Sequence, residues 1–113
     1  MPKQNIIVTG AFGGIGHACA VSLMEDGNNV TAIDIQPLPQ TITDYSDQCL
    51  PISIDVSKFE ACEDAVDQTV QKFGPITALC HFAAIHSTKN WEDVSQGEFL
   101  RVQDVNVVGS FNM

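Results

Sequence analysis

The chain has 113 residues, enough for one domain and too few for two. Its 14 Asp and Glu against 5 Lys and Arg leave a formal charge of −9, which repels phosphate backbones and anionic lipid. That balance argues against nucleic-acid or membrane-surface binding, and 44% hydrophobic residues argue against disorder. The longest nearly apolar run, residues 76–85, is broken by Thr77 and His81 and is too short to span a bilayer. Residues 2–5 lead straight into a strand pattern, which predicts no signal peptide. Cys19, Cys49, Cys62 and Cys80 include no Cys-x-x-Cys pair and no metal-ligand spacing, so reduced packing thiols are expected. The expectation is a cytoplasmic, acidic single domain with no metal site.

Residues 5–9 form a short β-branched run that stops at glycines and read as a buried strand. Ile15, Ala18, Cys19, Ser22 and Leu23 follow at helical spacing, and Gly27 closes that helix. Residues 29–34 are a second strand. Residues 36–49, with Pro37 and Pro39, lack a period and read as loop with room for a short helix. A third strand is predicted over 50–55. Ser57 with Glu60 suggests a capping box for a helix whose apolar face is Phe59, Cys62, Ala65 or Val66, Thr69 or Val70, and Phe73. Gly74-Pro75 stops it. Residues 76–84 read as a fourth strand, apolar enough to be covered on both faces. A loop with His86 and Trp91 leads to a second capping box, Ser95 with Glu98. The last helix then carries Phe99, Val102, Val105 and Val108 to the final residue. Strands alternating with helices at these lengths predict an α/β fold of Rossmann type, a doubly wound parallel sheet.

The first strand-to-helix turn reads Thr9-Gly10-Ala11-Phe12-Gly13-Gly14-Ile15-Gly16. A first glycine permits the sharp turn, a middle one lets backbone approach a diphosphate, and a last one permits close helix–strand packing. The helix that opens here offers unpaired N–H groups and its positive end to phosphates. No Gly-Lys-Ser/Thr follows, so a nucleotide-triphosphate loop is disfavoured. Asp34 ends the second strand 18 residues beyond Gly16, near the offset at which an acid binds the adenosine ribose hydroxyls. A carboxylate there repels a 2′-phosphate, and no Lys or Arg lies between Lys3 and Lys58. These features predict NAD over NADP.

With these residues in place, the chain resembles the short-chain dehydrogenase/reductase family from Asn5 onward. Thr9-Gly10-x-x-x-Gly14-Ile15-Gly16 is similar to the family's glycine turn, and Phe73-Gly74-Pro75-Ile76 to its approach to the fourth strand. The resemblance implies that Gly10, Phe12, Ile15 and Asp34 hold the diphosphate and adenosine ribose, with Thr9, Gly13, Gly14 and Gly16 also in the cofactor-binding turn. It implies that Asp55 and Val56 hold the adenine, and that Ala83 and Ala84 flank the nicotinamide-side ribose. Val105-Asn106-Val107 resembles the segment whose Asn supports a proton-relay water, although a polar residue there can also serve a backbone kink.

One stretch departs. The family's fourth strand usually ends Asn-Asn-Ala-Gly where this chain has His81-Phe82-Ala83-Ala84, and the missing first Asn removes a stabiliser of the central sheet. His-x-Ala-Ala is closer to the extended epimerase/dehydratase branch, whereas the helix from Ser57 and its Phe-Gly-Pro favour the classical branch.

The resemblance implies hydride transfer between a nicotinamide and a small alcohol or ketone, and a homodimer or homotetramer when complete. It also implies a Ser and a Tyr-x-x-x-Lys pair, yet the one tyrosine, Tyr45, is followed four residues on by Cys49. The chain therefore reads as an NAD-binding Rossmann half-domain, residues 1–113, with four of the expected strands, cut within a helix. On its own it is expected to be poorly soluble and without turnover. The rival readings are an extended-branch sugar-nucleotide epimerase or dehydratase, and a non-catalytic dinucleotide sensor. His17, His81, His86 and Trp91 each have an ordinary packing or surface explanation.

Overall fold

The computed structural model describes residues 2–113. Four strands, β1 (Asn5–Thr9), β2 (Asn29–Asp34), β3 (Cys49–Ser53) and β4 (Ala78–His81), form one sheet in the order β3-β2-β1-β4. All three pairings are parallel, with Val8 opposite Ala32 and Cys80. Helix α1 (Gly14–Glu25) crosses from β1 to β2, and α3 (Phe59–Phe73) crosses from β3 back to β4 on the other side of β1. The chain thus winds outward and then reverses, leaving a switch point between β1 and β4. Rossmann-type sheets bind ligands in that crevice, beyond the carboxyl ends of the strands.

Strand alternation builds a core on each face. On one, Ile6, Val8, Val30 and Ala32 pack with Ala20 and Met24 of α1 and with Ile42 of a short helix, α2 (Gln40–Thr43). On the other, Ile7, Ile33 and Ile52 pack with Cys62 and Ala65 of α3 and with Val105. Thr69 lies among them; its hydroxyl donates to the Ala65 carbonyl at 2.8 Å and accepts the Thr31 hydroxyl at 2.8 Å, which satisfies two buried polar groups. All four cysteines are free, and burial pushes the Cys49 thiol to about 11.

Several expectations need correction. The buried stripe of α1 is Gly16, Ala20 and Met24, while Ile15 is 75% exposed. Small residues win here because the helix packs against backbone at its start, where a bulky face cannot fit. Strand β3 ends at Ser53 because the next residues turn toward α3. Strand β4 is shorter than 76–84, since its pairing to β1 stops at His81. It lies at the sheet edge, and it is not covered on both faces, Leu79 being 43% exposed. The Ser57–Glu60 capping box does not form: Lys58 is the cap position, and the Ser57 hydroxyl is used by Asp55.

Ser95 does cap α4 (Gln96–Gln103), accepting the Glu98 amide at 3.1 Å. The Glu98 carboxylate turns instead to Lys89 and Ser87. The last helix is interrupted by a π turn at Asp104–Val108 before α5 (Gly109–Asn112). Among the described residues, no helix is long and apolar enough to cross a membrane.

Candidate cofactor cleft

The glycine turn owes its shape to three different demands. Gly10 (φ +67°) and Gly14 (φ +60°) take left-handed backbone, which a side chain strains. Gly10 also lies beneath the exit of β4, where a Cβ would sit 3.0 Å from the Ala83 nitrogen and the Phe82 carbonyl carbon. Gly16 is the tightest position, because a Cβ there would be 2.0 Å from the Gly10 oxygen. At Gly13 and Gly14 a Cβ would meet nothing within 4 Å, so the outer side of the turn is open.

Asp34 ties this turn to the end of β2. One carboxylate oxygen accepts the Phe12 amide at 3.0 Å, and the other accepts the amides of Ile35 at 2.7 Å and Gln36 at 3.0 Å. Ionised carboxylates offer about four acceptor positions, so one remains on the oxygen that faces Phe12. The turn is further closed by the Ala11 amide, which donates to the Ile33 carbonyl.

Thr9, fully buried, links the turn to β4. Its hydroxyl oxygen accepts the amides of Phe82 at 3.0 Å and Ala83 at 3.1 Å, which uses both lone pairs. Its proton must then go to His81 Nδ1, 2.7 Å away, so the imidazole is neutral and carries its hydrogen on Nε2. His81 thereby supplies the stabilising contact that the absent Asn was expected to remove. Nε2 is buried with no hydrogen-bond partner among the described residues, and burial pushes this histidine below its usual range.

The unfolded chain takes up a proton near pH 6.5 while the folded chain resists it, so stability is full above that value and falls as the pH drops below it. Urea midpoints should therefore decline between pH 7 and about 5.5, and His81→Gln should flatten the decline. An unchanged slope in the variant would remove His81 as its source.

At the end of β3, Asp55 accepts the Ser57 amide at 3.0 Å and the Ser57 hydroxyl at 2.7 Å on one oxygen. Its other oxygen accepts Nη2 of Arg101 at 2.9 Å. Partial burial pushes this carboxyl up, but the Ser57 hydrogen bonds and the Arg101 guanidinium outweigh it and hold the group below the usual carboxylate range.

These pieces surround a cleft of about 280 Å³ at the switch point, lined by Gly10, Gly13, Asp34, Asp55, Val56 and Ala83 among others. Ala84 also lines it. Of the other predicted residues, Thr9, Phe12, Gly14 and Gly16 shape the turn, and Ile15 projects from the first turn of α1. Asn106 sits in the π turn, where its amide donates to the Ile85 carbonyl at 2.8 Å and accepts the Ile85 amide at 2.9 Å. Both polar atoms of that side chain are thus engaged by the loop after β4.

Sequence reasoning missed Arg101, which lines the cleft together with Val105. It lies 46 residues from Asp55, and only the tertiary fold brings the two together. Among the described residues, no group of His, Cys, Asp or Glu could hold a metal ion.

A parallel sheet whose switch point carries this turn defines a Rossmann-type nucleotide-binding fold. The short chain dehydrogenase family profile matches residues 4–113. Versicolorin reductase 1 of Dothistroma septosporum is 31% identical over 111 residues, covering 93% of this chain and 42% of that protein. The 3-ketodihydrosphingosine reductase of Bos taurus is 27% identical over 120 residues, covering 97% of this chain and 36% of that protein.

Among solved structures, 3-ketoacyl-(acyl-carrier-protein) reductase from Brucella melitensis complexed with NADH superposes with a TM-score of 0.87 at 29% identity, over 96% of this chain and 46% of that one. The chain belongs to the short-chain dehydrogenase family, whose members are oxidoreductases using nicotinamide cofactors. It spans 33% to 45% of the length of the curated relatives it matches.

Proposed function

We propose that the cleft binds NAD and that the chain is the cofactor-holding domain of an oxidoreductase acting on a small alcohol or ketone. The observation that carries this reading is Asp34, fastened by the Phe12 amide to an open-sided glycine turn at the sheet's switch point. The residues fit the cofactor: the space beyond Gly13 and Gly14 leaves room for a diphosphate against bare backbone, and Asp34 keeps an acceptor position for a ribose hydroxyl. Gly10, Phe12, Gly13, Gly14, Ile15 and Gly16 would form the diphosphate turn. Asp55 and Val56 would hold the adenine, and Ala83 and Ala84 the second ribose, at a spacing set by the Thr9 hydroxyl.

When bound, the nicotinamide supplies the carbon that gives or takes a hydride. The chain's own residues orient that cofactor. Asn106, carried over by resemblance to a proton-relay position, acts here by gripping Ile85 and so fixing the loop beside the ribose. The 113 residues contain no Tyr-x-x-x-Lys pair: Cys49 stands four residues after Tyr45, which packs against the first core and donates its hydroxyl to Glu25. This reading therefore assigns them binding rather than proton transfer.

The same proposal includes a homodimer or homotetramer, supported by exposed Phe99, Leu100 and Phe111 on the last helical segments. It includes a cytoplasmic location, supported by four free cysteines. Isothermal titration of the protein with NADH and NADPH tests the central claim. Saturable NADH binding, with NADPH weaker by about tenfold or more, is the expected result, one charge–charge clash being worth at least that. Tighter NADPH binding, or no uptake of either, would refute it.

A further inference from the structure

We propose that Arg101 sets the purine selectivity of the cleft by pinning Asp55, so that a single acceptor position on its Oδ2 is presented to an exocyclic amino group. The proposal deepens the cofactor reading above and rests on it.

The hydrogen-bond directions are forced. A guanidinium only donates and a carboxylate only accepts, so the Ser57 hydroxyl must donate to Asp55 and accept Nη1 of Arg101, at 2.7 and 3.1 Å. Nη2 of Arg101 donates to Asp55 at 2.9 Å. Asp55, Ser57 and Arg101 thus close a triangle that joins the end of β3, the start of α3, and α4. Asp55 Oδ1 already accepts the Ser57 amide as well, so its capacity is filled. Oδ2 has one contact and keeps one acceptor position.

The Arg101 side chain is 44% exposed and that of Asp55 21% exposed, and pairs so near solvent contribute little to stability. What the pair does contribute is orientation. The planar fork of arginine spans two partners at once, which a lysine ammonium cannot match as a rigid brace. Both ends of the ion pair line the cleft. An ionised acceptor so placed favours a purine with an amino group at that edge over one with a carbonyl oxygen, whose lone pairs it repels.

The test compares binding of NADH with that of reduced nicotinamide hypoxanthine dinucleotide, by calorimetry, in the unaltered protein, in Arg101→Met and in Arg101→Lys. The unaltered protein should prefer NADH by about tenfold, the worth of one charge-assisted hydrogen bond. Arg101→Met should reduce that preference to about twofold or less, chiefly through weaker NADH binding, with hypoxanthine dinucleotide affinity unchanged or slightly raised as the repulsion relaxes. The NADH-to-NADPH ratio, governed by Asp34, should stay as it was. Arg101→Lys should retain part of the preference, and it carries the test if the Met variant misfolds.

A preference that survives both substitutions, or an equal loss for both dinucleotides, would overturn the role of Arg101 while leaving the cofactor reading intact. Failure of the unaltered protein to bind either dinucleotide would overturn both.

Discussion

Gly16→Ala should be the most damaging single-methyl change in the chain. The added carbon would lie 2.0 Å from the Gly10 oxygen and 2.6 Å from its carbonyl carbon, and both are backbone atoms held by the turn. Relief requires α1 to move away from β1, and α1 carries Ala20 and Met24, which are 0% and 1% exposed in the first core. Overpacking a rigid site costs about 1–3 kcal/mol, and a clash with immobile backbone places this one at about 3 kcal/mol or beyond.

Neighbouring glycines supply internal controls. Gly13→Ala meets open space at an extended backbone angle, so stability should change by no more than about 0.5 kcal/mol. Gly14→Ala also meets open space, but its left-handed backbone should cost about 1–2 kcal/mol. Urea unfolding of the three variants checks this order. A loss at Gly14 equal to or larger than that at Gly16 would show that conformational freedom, and not close packing, dictates the turn. If the cofactor reading holds, Gly13→Ala should nonetheless weaken NADH binding, since its methyl would occupy the space assigned to the diphosphate.

Asp34→Ala should have the largest effect on nucleotide affinity. It removes the acceptor proposed for a ribose hydroxyl and releases the Phe12 amide that ties β2 to the glycine turn. Hydrogen bonds to a charged group contribute about 1.5–3 kcal/mol, so NADH affinity should fall roughly ten- to hundredfold. Affinity for NADPH should fall less, because the variant also loses a negative charge facing the 2′-phosphate. The discrimination between the two should therefore shrink, and calorimetry reads both constants directly. The amides of Ile35 and Gln36 also lose their acceptor, but both residues are exposed and water can replace it. Stability should accordingly fall much less than affinity. A variant with unchanged selectivity would remove Asp34 from the ribose site.

The two substitutions differ in how legible their sites are. The role of Gly16 follows from a local rule, since a glycine at the start of a helix after a buried strand implies close approach. The place of Asp34 at the end of β2 was legible from the strand pattern, but its bond to the Phe12 amide was not. The α1 face was misread because Ile15 fits a helical period, whereas burial depended on which residues are small enough to meet backbone. The Ser57–Glu60 pattern was misread for a related reason. A capping serine and a serine bonded to an aspartate two residues back fit the same local sequence, and here the Asp55 carboxylate takes the hydroxyl. His81 shows the limit most clearly: as a departure from the family pattern it predicted a lost contact, yet its ring nitrogen takes the Thr9 proton.

By itself, the order and period of the residues determined the alternating architecture, the parallel sheet and the position of the glycine turn. These depend on backbone preference and apolar spacing within short windows. Only the tertiary structure decided that Asn106 grips Ile85 and that Arg101 joins Asp55 and Ser57 at the cleft. Each of those contacts spans more than 20 residues, and which side chains meet at such separations is set by how helices settle on the sheet.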